Sequence, residues 1–213
     1  MVPSVTPAQQ TRLVTRCREG DESAWARVYQ LWSPVVSAYL RRQNGPQADL
    51  EDLLQQVFVE LFAGIDRFRG DSELSTWLYR IAARVSAKAW RKQKRHRRRI
   101  SALTESLTAR PTESLRPDDA LAARQTLALV DAVVASLKPI HRDVWLLSAA
   151  EGLTLSEIAE VLEVRVGTVR SRLTKARRLV AAGLARRGLG VARGQPIDLS
   201  RAAVALAITG KES

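Results

Sequence analysis

Cysteine, histidine and negative charge are all scarce in this chain. Cys17 is the one cysteine among 213 residues, so no internal disulfide can form, which suits a reducing compartment such as the cytoplasm. With only two histidines, His96 and His141, beside that thiol, no zinc site of His and Cys ligands is expected. No carboxylate spacing suggests another metal or cofactor. No apolar run approaches the roughly 20 residues that cross a bilayer, so no membrane span is expected. The start, Met1-Val2-Pro3-Ser4-Val5-Thr6-Pro7, lacks a charged end followed by an apolar core, so no secretory signal is expected either. Acidic residues number 22 against 34 Lys and Arg, giving a formal net charge of +12. That imbalance points to a polyanionic partner, and on charge alone nucleic acid, an anionic membrane and an acidic protein all qualify.

The periodicity that is present is almost entirely helical. Thr154 followed three residues later by Glu157 is a capping box at a helix start, and Ile158, Ala159 and Leu162 share one face of the helix it opens. After a break near Glu163-Val164, a second helix spaces Val169, Leu173, Ala176 and Val180 by four, three and four. Its other faces carry Arg170, Arg172, Lys175, Arg177 and Arg178. Two short helices around a tight turn, the second cationic, form a helix-turn-helix suited to the major groove of DNA.

The first half has a different pattern. From Asp21 to about Arg42, Trp25, Val28, Trp32, Val35, Val36, Tyr39 and Leu40 make an apolar stripe, within which Pro34 is expected to kink the helix or split it. Asn44-Gly45-Pro46 is a turn. Asp49 caps a helix whose stripe runs through Leu50, Leu53, Leu54, Val57, Phe58, Leu61, Phe62 and Ile65, wide enough for a core face. Ser75 is a candidate cap for a third helix with Trp77, Leu78, Ile81, Ala82 and Val85 inside and Arg80, Arg84, Lys88 and Arg91 outside. That cationic stripe runs on into Arg91–Arg99, a density of charge that favours phosphate contact. Residues 100–117 lose periodicity and contain Arg110-Pro111 and Arg116-Pro117, the composition of a linker. Helix resumes at Asp118, with Leu121, Leu127, Val130, Val133, Val134 and Leu137 inward, and again at Pro139, stopping at Gly152.

These residues resemble the extracytoplasmic-function (ECF) class of bacterial RNA polymerase sigma factors. Glu51-Asp52-Leu53-Leu54-Gln55-Gln56-Val57-Phe58 through Gly70, then Ser75-Thr76-Trp77-Leu78-Tyr79-Arg80-Ile81-Ala82, is similar to the family's region 2. Glu157-Ile158-Ala159 with Val166-Gly167-Thr168-Val169-Arg170-Ser171-Arg172-Leu173 is similar to region 4. The resemblance covers Asp21 to Arg99 and Ala120 to Leu184. It implies an all-α fold of two helical domains joined by a flexible linker: an N-terminal segment 1–20, a region 2-like domain 21–99, a linker 100–117, a region 4-like domain 118–187 and a C-terminal extension 188–213.

The resemblance also implies roles. Asp52, Gln55, Gln56 and Glu60 would meet RNA polymerase core, with Gln56 where the family usually has Glu. Tyr79, Arg80, Arg84, Lys88 and Arg91 would contact the minus-ten element of promoter DNA; the rings of Trp77 and Tyr79 both suit stacking on a base, although Trp77 lies on the inner stripe with Ile81. Arg84 and Lys88 stand where Asn and Asp are more frequent. Arg165, Thr168, Arg170, Ser171, Arg172, Thr174, Lys175 and Arg178 would serve the minus-thirty-five element, some reading bases and some positioning on phosphates. Glu163 replaces a glycine common in the family's turn, so a strained or differently shaped turn is expected there. An anti-sigma factor is a further implied partner. Two other readings are a conventional helix-turn-helix regulator that replaces no sigma subunit and a nucleic-acid enzyme. The first needs a dimerisation surface or effector pocket that the N-terminal half does not match, and no catalytic cluster supports the second.

Overall fold

In a computed structural model, residues 3, 5–45, 48–101 and 128–187 are described, and among them every regular element is helical. The expected linker from 102 onward, the helix start at Asp118 with Leu121 and Leu127, and the extension from 188 lie outside these residues. So do the side chains of Lys94 and of 96–101. No helix among the described residues is long and apolar enough to cross a membrane.

The N-terminal module begins earlier than expected. Helix α1 (Pro7–Arg18) opens on a capping box in which Thr6 Oγ1 accepts from the Gln9 amide and the Gln9 side chain accepts from the Thr6 amide. Val14 and Cys17 are buried, and burial pushes the Cys17 thiol up to about 11, so it stays protonated. Gln10 bridges two polar groups, donating to Ser72 O and accepting from the Leu74 amide at 2.7 Å. Helix α1 is therefore tied to the elements that follow it.

Helix α2 (Glu22–Asn44) is continuous through Pro34, so the expected split does not occur. Pro34 lies on the exposed side, where the backbone carbonyl it leaves unpaired can meet water, while Trp32 and Val36 are both buried and hold the two halves in line. Asp49 caps α3 (Leu50–Gly64), accepting from the Asp52 amide at 3.1 Å. A 3-10 turn (Ile65–Arg67) leads towards α4 (Leu74–Ser101). Because α4 starts at Leu74, Ser75 is not its cap but a buried first-turn residue, its hydroxyl donating to Glu73 Oε2. Val28, Trp32, Leu40, Val57, Leu61, Leu78, Ile81 and Val85 fill the space between α2, α3 and α4.

The second module holds α5 (128–135), α6 (Pro139–Ala149), α7 (Leu155–Leu162) and α8 (Val166–Ala185). Val130, Val133, Val134 and Leu137 are buried as the spacing required. Helices α5 and α8 approach closely at Gly183, where an added Cβ would stand 2.6 Å from Val133 Cγ1. The Thr154–Glu157 capping box is present at the start of α7. The two modules pack together, α4 against α7 and α2 against α6.

Glu163 ends α7 in the left-handed region, with φ 53° and ψ 46°. A non-glycine residue costs roughly 1–2 kcal/mol there, and glycine returns about half of that relief as chain entropy. Glu163→Gly should therefore stabilise the protein by about 0.5–1 kcal/mol and raise its melting temperature. Glu163→Val should lower it, and the opposite order in a thermal denaturation series would remove strain as the description of this turn.

Candidate nucleic-acid interface

Burial divides α8 as its spacing requires. Val169, Leu173, Ala176, Val180 and Leu184 face inward, and Arg170, Ser171, Thr174, Lys175, Arg177 and Arg178 are exposed together with Arg165. Thr168 and Arg172 are half-buried. The hydroxyls of Ser171 and Thr174 donate to the helix's own carbonyls at Thr168 and Arg170, each at 3.0 Å. Their oxygens remain on the open face as acceptors. Arg165, at the N-cap, makes no side-chain cap, so the first amides of α8 are open to an anion at the positive end of the helix dipole.

In the first module, Asp52, Gln55, Gln56 and Glu60 are all exposed on α3. They line a groove of about 790 Å³ with Lys88 and Lys92 of α4. Gln56 Nε2 donates to Asp52 Oδ2 at 2.8 Å, and Arg84 pairs with Glu60 at 3.3 Å. Two residue sets assigned to different partners thus meet at one groove.

Beside it lies a surface that helical spacing did not announce. Phe62, expected in the core, is 64% exposed, and Val59 is 59% exposed. With Trp25, Tyr29 and Phe58 they line a groove of about 890 Å³ between α2 and α3, edged by Glu22 and Glu51. Trp25 and Phe62 rings sit 4.9 Å apart, and Tyr29 and Phe58 4.8 Å apart. Helical period places Phe62 on the inner stripe, but α4 covers only the Leu53, Val57 and Leu61 side of α3.

Tyr79 also departs from expectation. It is only 1% exposed, edge-on to Tyr39 with ring centroids 5.6 Å apart, and its hydroxyl donates to Glu151 Oε2 at 2.5 Å. A base cannot stack on it in this conformation, because the second module occupies its face. Burial, then the Glu151 charge, raises its phenol far above the usual range and keeps it a donor. Arg80 donates to Glu160 O at 3.2 Å and pairs with Glu160 Oε1 at 3.3 Å. Arg84 and Lys88 are exposed, and Arg91 is exposed further along α4.

Further contacts complete the boundary between modules. Arg142 Nη1 donates to Gln43 O at 2.5 Å, Gln43 Nε2 donates to Asp143 Oδ1, and Arg42 pairs with Glu151 at 3.4 Å. Only non-local contact reveals these partners.

Two family models match this arrangement, Sigma-70 region 2 over residues 28–96 and Sigma-70, region 4 over residues 127–180. The order and pairing of those regions define a sigma-70-type promoter-recognition subunit. The ECF RNA polymerase sigma-E factor of Escherichia coli (strain K12) is 30% identical over 175 residues, 79% of this chain and 90% of that protein. The ECF RNA polymerase sigma factor SigW of Bacillus subtilis (strain 168) is 28% identical over 169 residues, 77% of this chain and 90% of that one. This chain belongs to the ECF sigma factors, and it directs promoter-specific transcription. The fold is shared with CnrH, solved with the cytosolic domain of CnrY (TM-score 0.61, 24% identity, 83% of this chain and 97% of that one). It is shared too with the sigma factor RpoE of Bartonella quintana, solved with the anti-sigma factor NepR (TM-score 0.58, 21% identity, 75% and 96%).

Asp143 gives the intermodule contact a pH dependence. Burial is the main cause that raises its carboxyl from 3.8 to about 6, against the opposing Gln43 hydrogen bond and the charges of Arg142 and Arg172. Arg80, Arg84 and Arg91 of α4 and Glu163 line the same cleft. A carboxyl with a raised pKa favours the packed form when protonated. That contribution is full below about 4 and is lost as pH rises through about 6. Burial raises Glu151 as well, with the same sign. Small-angle scattering should show the radius of gyration growing as pH rises from 5 to 7.5, and Asp143→Asn should flatten that change with His141 left in place. A radius that is constant, or that shrinks with rising pH, contradicts the assignment.

Proposed function

We propose that three surfaces divide the work of this sigma factor. Asp52, Gln55, Gln56 and Glu60 of α3 dock on RNA polymerase core, and the apolar groove at Trp25, Tyr29, Val59 and Phe62 extends that docking surface. Arg80, Arg84, Lys88 and Arg91 of α4 hold the minus-ten element. Arg165, Thr168, Arg170, Ser171, Arg172, Thr174, Lys175 and Arg178 engage the minus-thirty-five element. The regions matched by family models and the unmatched segments support the two domains, their linker and a C-terminal extension as separate units. The protein works in the cytoplasm with no catalysis of its own, and an anti-sigma factor covers its docking surface.

The single observation that carries this division is the separation of faces on α8, where an apolar side seats the helix and an exposed side carries Arg170, Ser171, Thr174 and Lys175. Arg can pair bidentately with a guanine edge, whereas an arginine at the helix flank meets phosphate and adds affinity without sequence preference. Exposed apolar rings on α3 support the docking role, because an unpaired patch of that kind marks a protein interface. The aliphatic stems and charges of α4 suit a strand captured after melting.

Run-off transcription with core polymerase over promoters varied at the minus-thirty-five element tests the division. Arg170→Ala should change the order of preferred promoters, with a loss of about 1–3 kcal/mol confined to those that satisfy its base contact. Arg178→Ala should lower output about equally on all of them and weaken the salt dependence of binding. Equal losses across the library for Arg170→Ala would make it a phosphate contact.

A further inference from the structure

Four arginines from two helices distant in sequence line one small cleft. Arg80, Arg84 and Arg91 come from α4 and Arg172 from α8, around a space of about 260 Å³ that also meets Asp143 and Glu163. Helical spacing explains one wall. Arg80, Ala83, Arg84, Ala87 and Arg91 fall on one side of α4, so two short side chains lie among the arginines and leave room there. Leu162 contributes to the opposite wall. Arg172 is half-buried and, two positions from both Arg170 and Thr174, lies on the other side of α8 from them.

These cations are only partly answered. Glu160 pairs with Arg80 and Glu60 with Arg84, while Arg91 has no ion pair or hydrogen bond among the described residues. Of the two acids in the cleft, Asp143 is engaged by Gln43 and burial raises its carboxyl to about 6, and Glu163 is exposed. Four guanidinium groups against two carboxylates leave the cleft positive, and its apolar wall groups concentrate that field. A guanidinium fork matches two phosphate oxygens at once. Size narrows the ligand further. The cleft has the volume of about eight or nine waters, which suits two linked phosphate groups and is far too small for a duplex.

We propose that this cleft is a diphosphate-binding site, in which Arg80, Arg84, Arg91 and Arg172 grip one compact anion from α4 and α8 together. The ligand is a diphosphate group, as inorganic pyrophosphate or as the tail of a nucleoside diphosphate. Arg91 donates without giving up a partner. Arg80 and Arg84 exchange a carboxylate for a phosphate, at small loss because partly exposed pairs are weak. Asp143 opposes the ligand whenever it is charged. The site belongs to the free chain, so it does not rest on how these arginines are shared between promoter elements.

Titration calorimetry of the full chain at pH 7.5 and near-physiological salt tests the site, with sulfate at matched ionic strength as the comparison anion. Pyrophosphate should bind one to one and at least about tenfold more tightly than sulfate. ADP binding as tightly would extend the site to nucleotide tails, and ADP binding far more weakly would confine it to the inorganic anion; both outcomes support a diphosphate site. Arg91→Ala and Arg172→Ala should each weaken pyrophosphate about tenfold. Arg12→Ala, exposed on α1, should leave it unchanged. Asp143→Asn keeps an acceptor for Gln43 and removes a negative charge, so it should tighten binding about threefold or more, a gain that unfolding cannot produce. Pyrophosphate no tighter than sulfate, equal losses for all three arginine variants, or no gain from Asp143→Asn would overturn the site. A single-stranded oligonucleotide that binds where pyrophosphate does not would overturn it too, leaving these arginines as strand contacts alone.

Discussion

Burial of one side of α4 is the interaction on which the rest of the molecule depends. Leu74, Leu78, Ile81, Ala82 and Val85 are all buried, and each large side chain among them contributes on the order of 1.5–3 kcal/mol. On the outer side, Arg80, Arg84, Lys88 and Arg91 repel one another by only a few tenths of a kcal/mol per neighbouring pair. The inner face wins by a wide margin. A helix can therefore hold a row of like charges in fixed register, which is what a surface for a nucleic-acid strand requires. The same seat fixes α3 beside α4, so the candidate polymerase contacts and the candidate promoter contacts keep a set geometry.

Charge then explains why a chain with so few acidic residues spends several of them on its own cations. Glu60 answers Arg84, Glu160 answers Arg80, and Glu151 answers Arg42. Exposed pairs such as Arg84–Glu60 are worth little, at most about 1 kcal/mol, and a phosphate can displace them. The Glu60 and Glu160 pairs occupy two cations of α4 without committing them. The +12 balance left over still favours a polyanion over any internal partner.

The range of each interaction decides how much of the fold and the site is legible in the sequence. The inner faces of α3, α5 and α8 and the Thr154–Glu157 box depend on neighbours within a few residues, so spacing alone reveals them. Helix α1 is local too, and its Thr6–Gln9 box is visible, but its polar stretch carries only a narrow apolar stripe. Pro34 does not split α2, because it lies on the exposed side where the freed carbonyl can meet water. Phe62 keeps the periodicity of its helix, but with Trp25 packed on one side of its ring it stays 64% exposed. Tyr79 is the clearest limit: its partner Glu151 lies 72 residues away, and no pattern on α4 could announce it. The exposed recognition face of α8 is legible, whereas the covering of the α4 face is not.

In the proposed function two cationic modules grip a promoter jointly, and only on RNA polymerase. Equilibrium binding of the full chain to one promoter fragment, with and without core polymerase, tests it most directly. Joint grip predicts weak, salt-sensitive binding by the chain alone and tight, sequence-dependent binding once core is present. Tight binding to that fragment unaided, with no measurable association with core, would contradict it.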